Sequence, residues 1–247
     1  MAKTTPRLFV DQALAPKAEV TLSAEQSHYL ANVLRLQPGD VASVFNAADG
    51  EYLAHLAEAS KKKVVLRLEQ MTSAAKPPPD IDYLFAPLKH SRLDYLVQKA
   101  TELGARRLRP VMTARTIAER VNLDRMRANV IEAAEQCNLV FVPEVLEPVS
   151  LDQALRNWDA GRALIYCDET AEISDPLLAL SKLKVPAAIV VGPEGGFTVE
   201  ERAQLRSLPF VTAVSLGPRI MRADTAAVAV LSIVQATLGD WSKLKDG

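Results

Sequence analysis

The sequence contains few cysteine, histidine and aromatic residues and has almost no net charge. Among 247 residues there are 2 Cys and 3 His, aromatic residues make up 5%, and the formal net charge is −1. Cys137 and Cys167 have no neighbouring His and form no CxxC pattern, which argues against a metal site and gives no reason for a disulfide. We expect two reduced, packed thiols and no bound metal.

Long apolar runs are also missing. No stretch approaches the roughly 18 to 20 apolar residues that cross a bilayer, and the first ten residues lack the apolar segment of a signal peptide. We therefore expect a cytoplasmic protein with no membrane contact. With 49% hydrophobic and 24% charged residues, the composition is that of an ordinary globular chain with a sizeable core.

The charge is distributed unevenly along the chain. Residues 85–120 hold eight basic and three acidic side chains, whereas residues 143–247 hold ten basic and fourteen acidic ones. This segregation is compatible with a face that binds a polyanion, and equally with solvated helix surfaces.

A proline-rich segment, residues 73–80, predicts an extended linker between a first domain, residues 1–72, and a second, residues 81–247. In the first domain, Ser23 and Gln26 form a capping box that begins a helix. Short strands are predicted at 8–10, 41–45, 52–57 and 64–68. The first domain is therefore predicted to be small, mostly β and barrel-like.

After the linker, apolar runs alternate with amphipathic segments. The run 187–191 is entirely apolar, as expected of a strand covered by helices on both faces. Strands are predicted at 81–86, 108–112, 163–167, 187–191 and 211–216, and helices at 91–103, 123–137, 174–181, 198–206 and 223–238. This alternation is typical of an α/β domain with a mostly parallel sheet.

Two loops that follow predicted strands are candidates for a binding site, because ligands bind beyond the carboxyl ends of parallel strands. The first is 192–197 (GPEGGF), whose glycines permit close backbone approach to a ligand. The second is 216–222 (LGPRIMR). We expect them to form opposite walls of one pocket, although glycine loops after strands are often only turns.

The pocket lacks the usual phosphate-binding signals. Neither GxxxxGK[ST] nor GxGxxG occurs, and no acidic residue follows about 20 positions after the first loop, which disfavours ATP and NAD. A phosphate-free adenosine compound such as S-adenosylmethionine suits such loops better. Two alternatives remain open, a nicotinamide-dependent oxidoreductase and a non-catalytic RNA-binding protein.

The two loops in their context, VVGPEGG at 190–196 and LGPRIMRADTA at 216–226, resemble the signature of the ribosomal RNA small subunit methyltransferase E family, of the SPOUT class. Further matching blocks are 28–36, 38–40, 99–104 and 132–137, so the resemblance covers nearly the whole chain. It implies a PUA-like RNA-binding domain followed by a trefoil-knotted methyltransferase domain. It further implies N3-methylation of one uridine in 16S ribosomal RNA, with S-adenosylmethionine as donor, by a homodimer.

The resemblance also implies which residues contact the cofactor. They belong to the two loops and to the end of the strand 163–167, and they are Gly192, Glu194, Gly195, Gly196, Leu216, Ile220 and Met221, with Cys167 and Asp168 nearby. We expect valine at Gly195 to occupy ligand space and abolish binding.

Methylation at N3 requires that this nitrogen lose its proton, so the site needs a base or a cation that stabilises the resulting anion. N3 also lies on the Watson–Crick edge, so the nucleotide must be unpaired or flipped out. Arg222 is the candidate cation, unless it is only a surface residue before a helix. Asp224 and Glu194 are the candidate bases; alternatively, Asp224 caps the last helix and Glu194 is held by its own loop.

RNA contacts should be numerous and electrostatic. The candidates lie in a groove between the domains and are Arg7, His28, Arg35, Lys61, Lys62, Lys63, Lys89, Arg92 and Arg115, with Arg219 either binding RNA or ordering its loop. The partner is 16S ribosomal RNA or the small ribosomal subunit. Leu139 departs from the family, whose members often have Arg there. We expect the apolar final helix to be buried, with a second subunit as a candidate partner.

Overall fold

The computed structural model describes residues 5–60, 62–89, 91–118, 120–171 and 175–241. The chain divides into two compact units, one of Met1–Pro77 and Ala134–Val142, the other of Pro78–Ala133 and Pro143–Gly247. The sequence predicted an uninterrupted second domain. Instead, residues 134–142 cluster with the first unit.

The first unit is a five-stranded sheet with one short helix. Its elements are β1 (Arg7–Phe9), β2 (Glu19–Thr21), α1 (Ala24–His28), a π-helical turn (Tyr29–Val33), β3 (Val41–Asn46), β4 (Gly50–Ala59) and β5 (Val64–Ser73). The strand order is β1-β3-β4-β5-β2. Both hydrogen bonds of the capping box between Ser23 and Gln26 are present. The predicted mostly β unit is confirmed.

Two details of the first unit differ from the sequence prediction. Strand β2 was missed because it has three residues, of which only Val20 is buried, too few to show an alternation. Strand β5 extends to Ser73, into the predicted linker, because Ser73 pairs with Glu51 of β4.

The second unit alternates strands and helices. Its elements are β6 (Ile81–Phe85), α2 (Ser91–Glu102), β7 (Arg107–Met112), α3 (Leu123–Gln136), β8 (Glu144–Val145), β9 (Val149–Ser150), α4 (Leu151–Arg156), β10 (Ala163–Cys167), α5 (Pro176–Leu180), β11 (Ala187–Val191), α6 (Val199–Ser207), β12 (Val211–Val214) and α7 (Ala223–Thr237). The strand order is β12-β10-β11-β6-β7-β8, and β9 pairs with β7. All of these pairs are parallel, which confirms the predicted α/β architecture.

Helix α7 is buried along one face and partly exposed along another. Val230 and Val234 are fully buried, whereas Val228 and Ile233 are partly accessible. Gln235, also buried, donates through Nε2 to the carbonyl of Leu103 at 2.7 Å, beyond the end of α2. The expected burial of this helix is therefore met within the unit on one side only.

Arg7 was expected to contact RNA, but its side chain is only 8% exposed. Its guanidinium donates to the carbonyls of Ala134 at 2.6 Å and Leu139 at 2.5 Å, and pairs with Glu51 at 3.0 Å. It also lies 3.7 Å from the centre of the Phe45 ring. A cation beside Ala134 is favourable because this residue lies in the last turn of α3, at the negative end of the helix dipole. This geometry corrects the expectation, because Arg7 is committed to contacts within the first unit.

Candidate functional site

The candidate site lies where three neighbouring parallel strands end. Strand β10 lies between β12 and β11, so the chain segments that follow these three strands meet at one edge of the sheet. Together they line a single cavity of about 340 Å³. The two loops predicted to be opposite walls, 192–197 and 216–222, both contribute to it.

The lining contains every residue to which the resemblance assigned a cofactor contact. The predicted set consists of Gly192, Glu194, Gly195, Gly196, Leu216, Ile220 and Met221, and Cys167 and Asp168 join them. Phe197, the last residue of the first predicted loop, also lines the cavity, and so do Glu169 and Ala226, which lie outside both loops and were missed. Ala226 carries no functional signal because it is one small residue in an apolar helix. Their individual binding roles stay predictions.

Phe197 packs beneath the first loop. It is 2% exposed, and its ring meets that of Tyr166 edge-on, with ring centres 5.3 Å apart. A methyl group at Gly192 would lie 2.7 Å from Phe197 Cε2, which is closer than carbon atoms pack. Packing therefore requires glycine at position 192.

Gly195 is less constrained than the sequence suggested. A methyl group there would lie 3.5 Å from Cδ of Arg115, an ordinary contact. The first carbon of a side chain at position 195 would therefore lie toward Arg115, and the effect of valine there on ligand binding stays a prediction. Gly196 differs, because its φ of +66° is in the left-handed region that favours glycine.

Each carboxylate that lines the cavity pairs with an arginine. The pairs are Asp168 with Arg206 at 2.5 Å, Glu169 with Arg202 at 2.5 Å, and Glu194 with Arg92 at 3.1 Å. Burial alone raises the pKa of Asp168, but hydrogen bonds from Thr170 and Arg206 outweigh burial and hold that pKa below its usual range. Asp168 is therefore an ionised anchor rather than a proton acceptor at neutral pH.

Two lining arginines differ from these pairs. Arg219 and Arg222 are exposed, and neither side chain forms a hydrogen bond or an ion pair with the described part of the chain. Arg222 is the N-cap residue of α7, and its side chain makes no capping hydrogen bond. A guanidinium in this state keeps its donors for a ligand.

The structure brings together two of the three predicted catalytic residues. Arg222 and Glu194 line the cavity, whereas Asp224 does not. Asp224 lies in the first turn of α7, where it accepts a hydrogen bond from the backbone N–H of Thr225 at 2.8 Å. A carboxylate there interacts favourably with the helix dipole, so the arrangement supports the structural alternative for Asp224.

Two of the arginines predicted to contact RNA form hydrogen bonds with the first loop. Arg92 pairs with Glu194, and Arg115 donates to the carbonyl of Gly195 at 2.7 Å. Lys89 is exposed beside α2. The sequence showed the positive charge of these residues but not their partners.

The other predicted RNA contacts belong to the first unit. His28, Arg35 and Lys62 are exposed, with His28 Nδ1 2.7 Å from the side-chain amide of Asn32. Lys63 pairs with Glu58 at 2.8 Å. Lys61 lies outside the described residues.

Neither cysteine forms a disulfide, but only one of them is partly buried. Burial, together with the nearby Asp168 carboxylate, raises the pKa of the Cys167 thiol to about 12, so this cavity residue remains neutral. Cys137 is exposed, which corrects the expectation of a packed thiol. Within the described ranges, no three His, Cys, Asp or Glu side chains are grouped so as to hold a metal ion.

Comparison with known proteins identifies relatives along nearly the whole chain. A family model of the RNA methyltransferase domain matches residues 75–235, and one of the RNA methyltransferase PUA domain matches residues 22–69. A relative from Synechocystis named ribosomal RNA small subunit methyltransferase E is 34% identical over 94% of this chain and 78% of its own. A relative of the same name from Bacillus subtilis is 31% identical over 92% and 95%.

A solved structure shows the same similarity in three dimensions. The ribosomal RNA small subunit methyltransferase E from Neisseria gonorrhoeae, bound to S-adenosyl methionine, superposes with a TM-score of 0.85 at 28% identity, covering 96% of this chain and 99% of that one. Since the family model alone spans well over half of the residues, and two relatives exceed 30% identity, the chain belongs to the ribosomal RNA small subunit methyltransferase E family of RNA methyltransferases.

Proposed function

We propose that this protein transfers a methyl group from S-adenosylmethionine to N3 of a specific uridine in 16S ribosomal RNA. The observation that carries the proposal is the cavity formed by the segments after β10, β11 and β12, which is lined by every residue to which the resemblance assigned a cofactor contact.

The cavity suits a phosphate-free adenosine compound. Its lining combines the backbone of glycine-rich loops with apolar side chains such as Val191, Leu216 and Met221. Cavities of this kind bind small molecules through apolar contact and a few placed polar groups. When bound, S-adenosylmethionine supplies an electrophilic methyl group on a sulfonium, so the protein's main task is to position the two reactants.

We assign the stabilisation of the uridine anion to Arg222. Loss of the N3 proton places negative charge on the neighbouring carbonyl oxygens, and a guanidinium beside them lowers the energy of that anion. Because Asp168, Glu169 and Glu194 are already ion-paired, the cavity favours a cation over a carboxylate base. Arg219, on the same loop, is available for a phosphate or a second carbonyl.

RNA binding by the first unit is assigned to a surface around the π-helical turn. Tyr29 in that turn is 40% exposed, and His28 and Arg35 are exposed on either side of it. The backbone N–H of Val64 donates to the hydroxyl of Ser27 at 3.1 Å, which brings the turn containing Lys62 beside α1. An exposed aromatic ring among cations suits unpaired nucleotides, whose bases stack while their phosphates meet the cations.

The double variant Arg35→Ala/Lys62→Ala tests this surface. Each lost phosphate contact should lower the slope of log K against log salt by about one, so we expect a slope smaller by about two and weaker RNA binding. Arg67→Ala is the matched control, because Arg67 is exposed in the same unit but pairs with Glu19 at 2.6 Å. Salt titrations monitored by fluorescence anisotropy measure both slopes. A double variant with the slope of the unmodified protein would remove this surface from RNA binding.

Three further properties complete the proposal. We propose a homodimer in which the partly accessible Val228 and Ile233 of α7 contact a second copy of the chain. We also propose that the second unit contains a trefoil knot. The proposed location is the cytoplasm, where the partner is 16S ribosomal RNA or the small ribosomal subunit. None of the described helices combines the length and the apolar character that crossing a membrane requires.

Two measurements test the proposed activity directly. Calorimetry with S-adenosylmethionine and with NAD should show saturable binding of the first compound only. Mass spectrometry of 16S ribosomal RNA from cells that lack this protein should show one missing N3-methyluridine, which the purified protein restores. Binding of NAD alone would favour an oxidoreductase, and RNA binding without methylation would favour a non-catalytic protein.

A further inference from the structure

The first loop of the cavity is held from outside by the segment that follows β7. Arg115 Nη1 donates to the carbonyl of Gly195 at 2.7 Å and approaches that of Phe197 at 3.5 Å. The preceding residue, Ala114, donates its backbone N–H to Glu201 Oε1 at 2.8 Å. Glu201 is also the capping-box residue of α6, so this segment is attached to the loop and to the helix that follows it.

These contacts fix one peptide group in particular. The carbonyl of Gly195 accepts from Arg115, while the N–H of Gly196, in the same peptide plane, donates to the carbonyl of Pro193 at 2.8 Å. The plane is therefore held at both ends. Because glycine stands on both sides of it, rotating this peptide meets little steric resistance, and the loop sequence does not determine its orientation.

We propose that Arg115 is a positioning residue of the cofactor cavity, which holds the peptide between Gly195 and Gly196 in its binding orientation. The inference rests on the proposed function, in which this cavity binds S-adenosylmethionine. Without Arg115 the peptide samples other orientations, and only the fraction in the binding orientation accepts the cofactor.

A positioning role for Arg115 and the RNA contact predicted from the sequence should affect different measurements. A phosphate contact would change RNA affinity and its salt dependence and leave the cofactor untouched. A positioning role changes cofactor affinity and leaves the RNA salt slope unaltered. Arg115 is exposed, so its replacement should not unfold the protein.

The test compares Arg115→Ala, Arg115→Lys and the control Arg156→Ala, an exposed arginine on α4, each in the full-length protein. Calorimetry should show S-adenosylmethionine binding about tenfold more weakly to Arg115→Ala, as expected for loss of one charge-assisted hydrogen bond. Arg115→Lys, which keeps a charged donor, should recover part of this affinity. Arg156→Ala should bind the cofactor as tightly as the unmodified protein. The KM for the cofactor should rise with little change in kcat.

Hydrogen exchange provides a readout that needs no ligand. The N–H of Gly196 should exchange faster in Arg115→Ala than in the unmodified protein, with an unchanged midpoint of thermal unfolding. Unchanged cofactor affinity with a lower RNA salt slope would overturn the proposal in favour of RNA contact. If the unmodified protein bound no S-adenosylmethionine, the proposed function would fail, and Gly196 exchange would still decide whether Arg115 holds the peptide.

Discussion

Arg222→Ala is expected to lower the rate of methylation about 10²- to 10³-fold, the range found when one donor to a developing anion is removed. The affinity for S-adenosylmethionine should change little, because the cofactor contacts proposed for this loop are made by its backbone and its apolar side chains and not by the guanidinium of Arg222. Single-turnover kinetics at saturating cofactor and RNA measure the chemical step, and calorimetry measures cofactor binding separately.

The pH dependence of the methylation rate should differ between a cation and a carboxylate base. A guanidinium stays charged at all accessible pH values, so the rate should rise with pH as the uridine ionises, without a plateau set by a carboxylate. Arg222→Lys should recover only part of the rate, because an ammonium lacks the planar pair of donors. Full activity of Arg222→Ala, or a rate that levels off above the pKa of a carboxyl group, would assign the step to another residue.

Gly192→Ala is expected to damage the cofactor site far more than Gly195→Ala, although both change one glycine of the same loop. A methyl group at position 192 would lie 2.7 Å from Phe197 Cε2, whereas one at 195 makes ordinary contact with Arg115 at 3.5 Å. Phe197 is buried against Tyr166 and cannot move aside freely. Overpacking of this kind costs about 1–3 kcal/mol, and the displaced loop should bind S-adenosylmethionine at least about tenfold more weakly.

Chemical denaturation and calorimetry on the two variants provide the comparison. Gly192→Ala should show a lower free energy of unfolding and weaker cofactor binding, and Gly195→Ala should resemble the unmodified protein in both. Equal behaviour of the two variants would show that contact with Phe197 does not shape the loop.

The sequence predicted the architecture wherever a local pattern was long enough to be distinctive. The apolar run at 187–191 forms the strand β11, and the capping box at Ser23 lies where helix α1 begins. The same patterns failed for β2, β8 and β9, which have only two or three residues each. Such strands exist because neighbouring strands offer pairing, which no local periodicity records.

The sequence likewise predicted some features of the candidate site and not others. The loops 192–197 and 216–222 were recognisable, because glycine after a buried strand is a local signal and the family signature follows the chain. The partners of their polar groups were not recognisable. Arg115 and Gly195 are 80 residues apart, and Arg92 and Glu194 are 102 apart, so both arginines looked like candidates for RNA.

The sequence by itself determined the α/β class, the position of the small β domain, the two loops that line the cavity and the family to which they point. These properties follow from the order and spacing of residues along the chain. Only the tertiary structure decided which charges remain available for a substrate. It places Arg7 in the interior of the first unit, engages Arg92 and Arg115 with the first loop, and leaves Arg219 and Arg222 without a partner in the described part of the chain. The physical reason is that an ion pair depends on distance in space, and the fold brings together groups that the sequence keeps far apart.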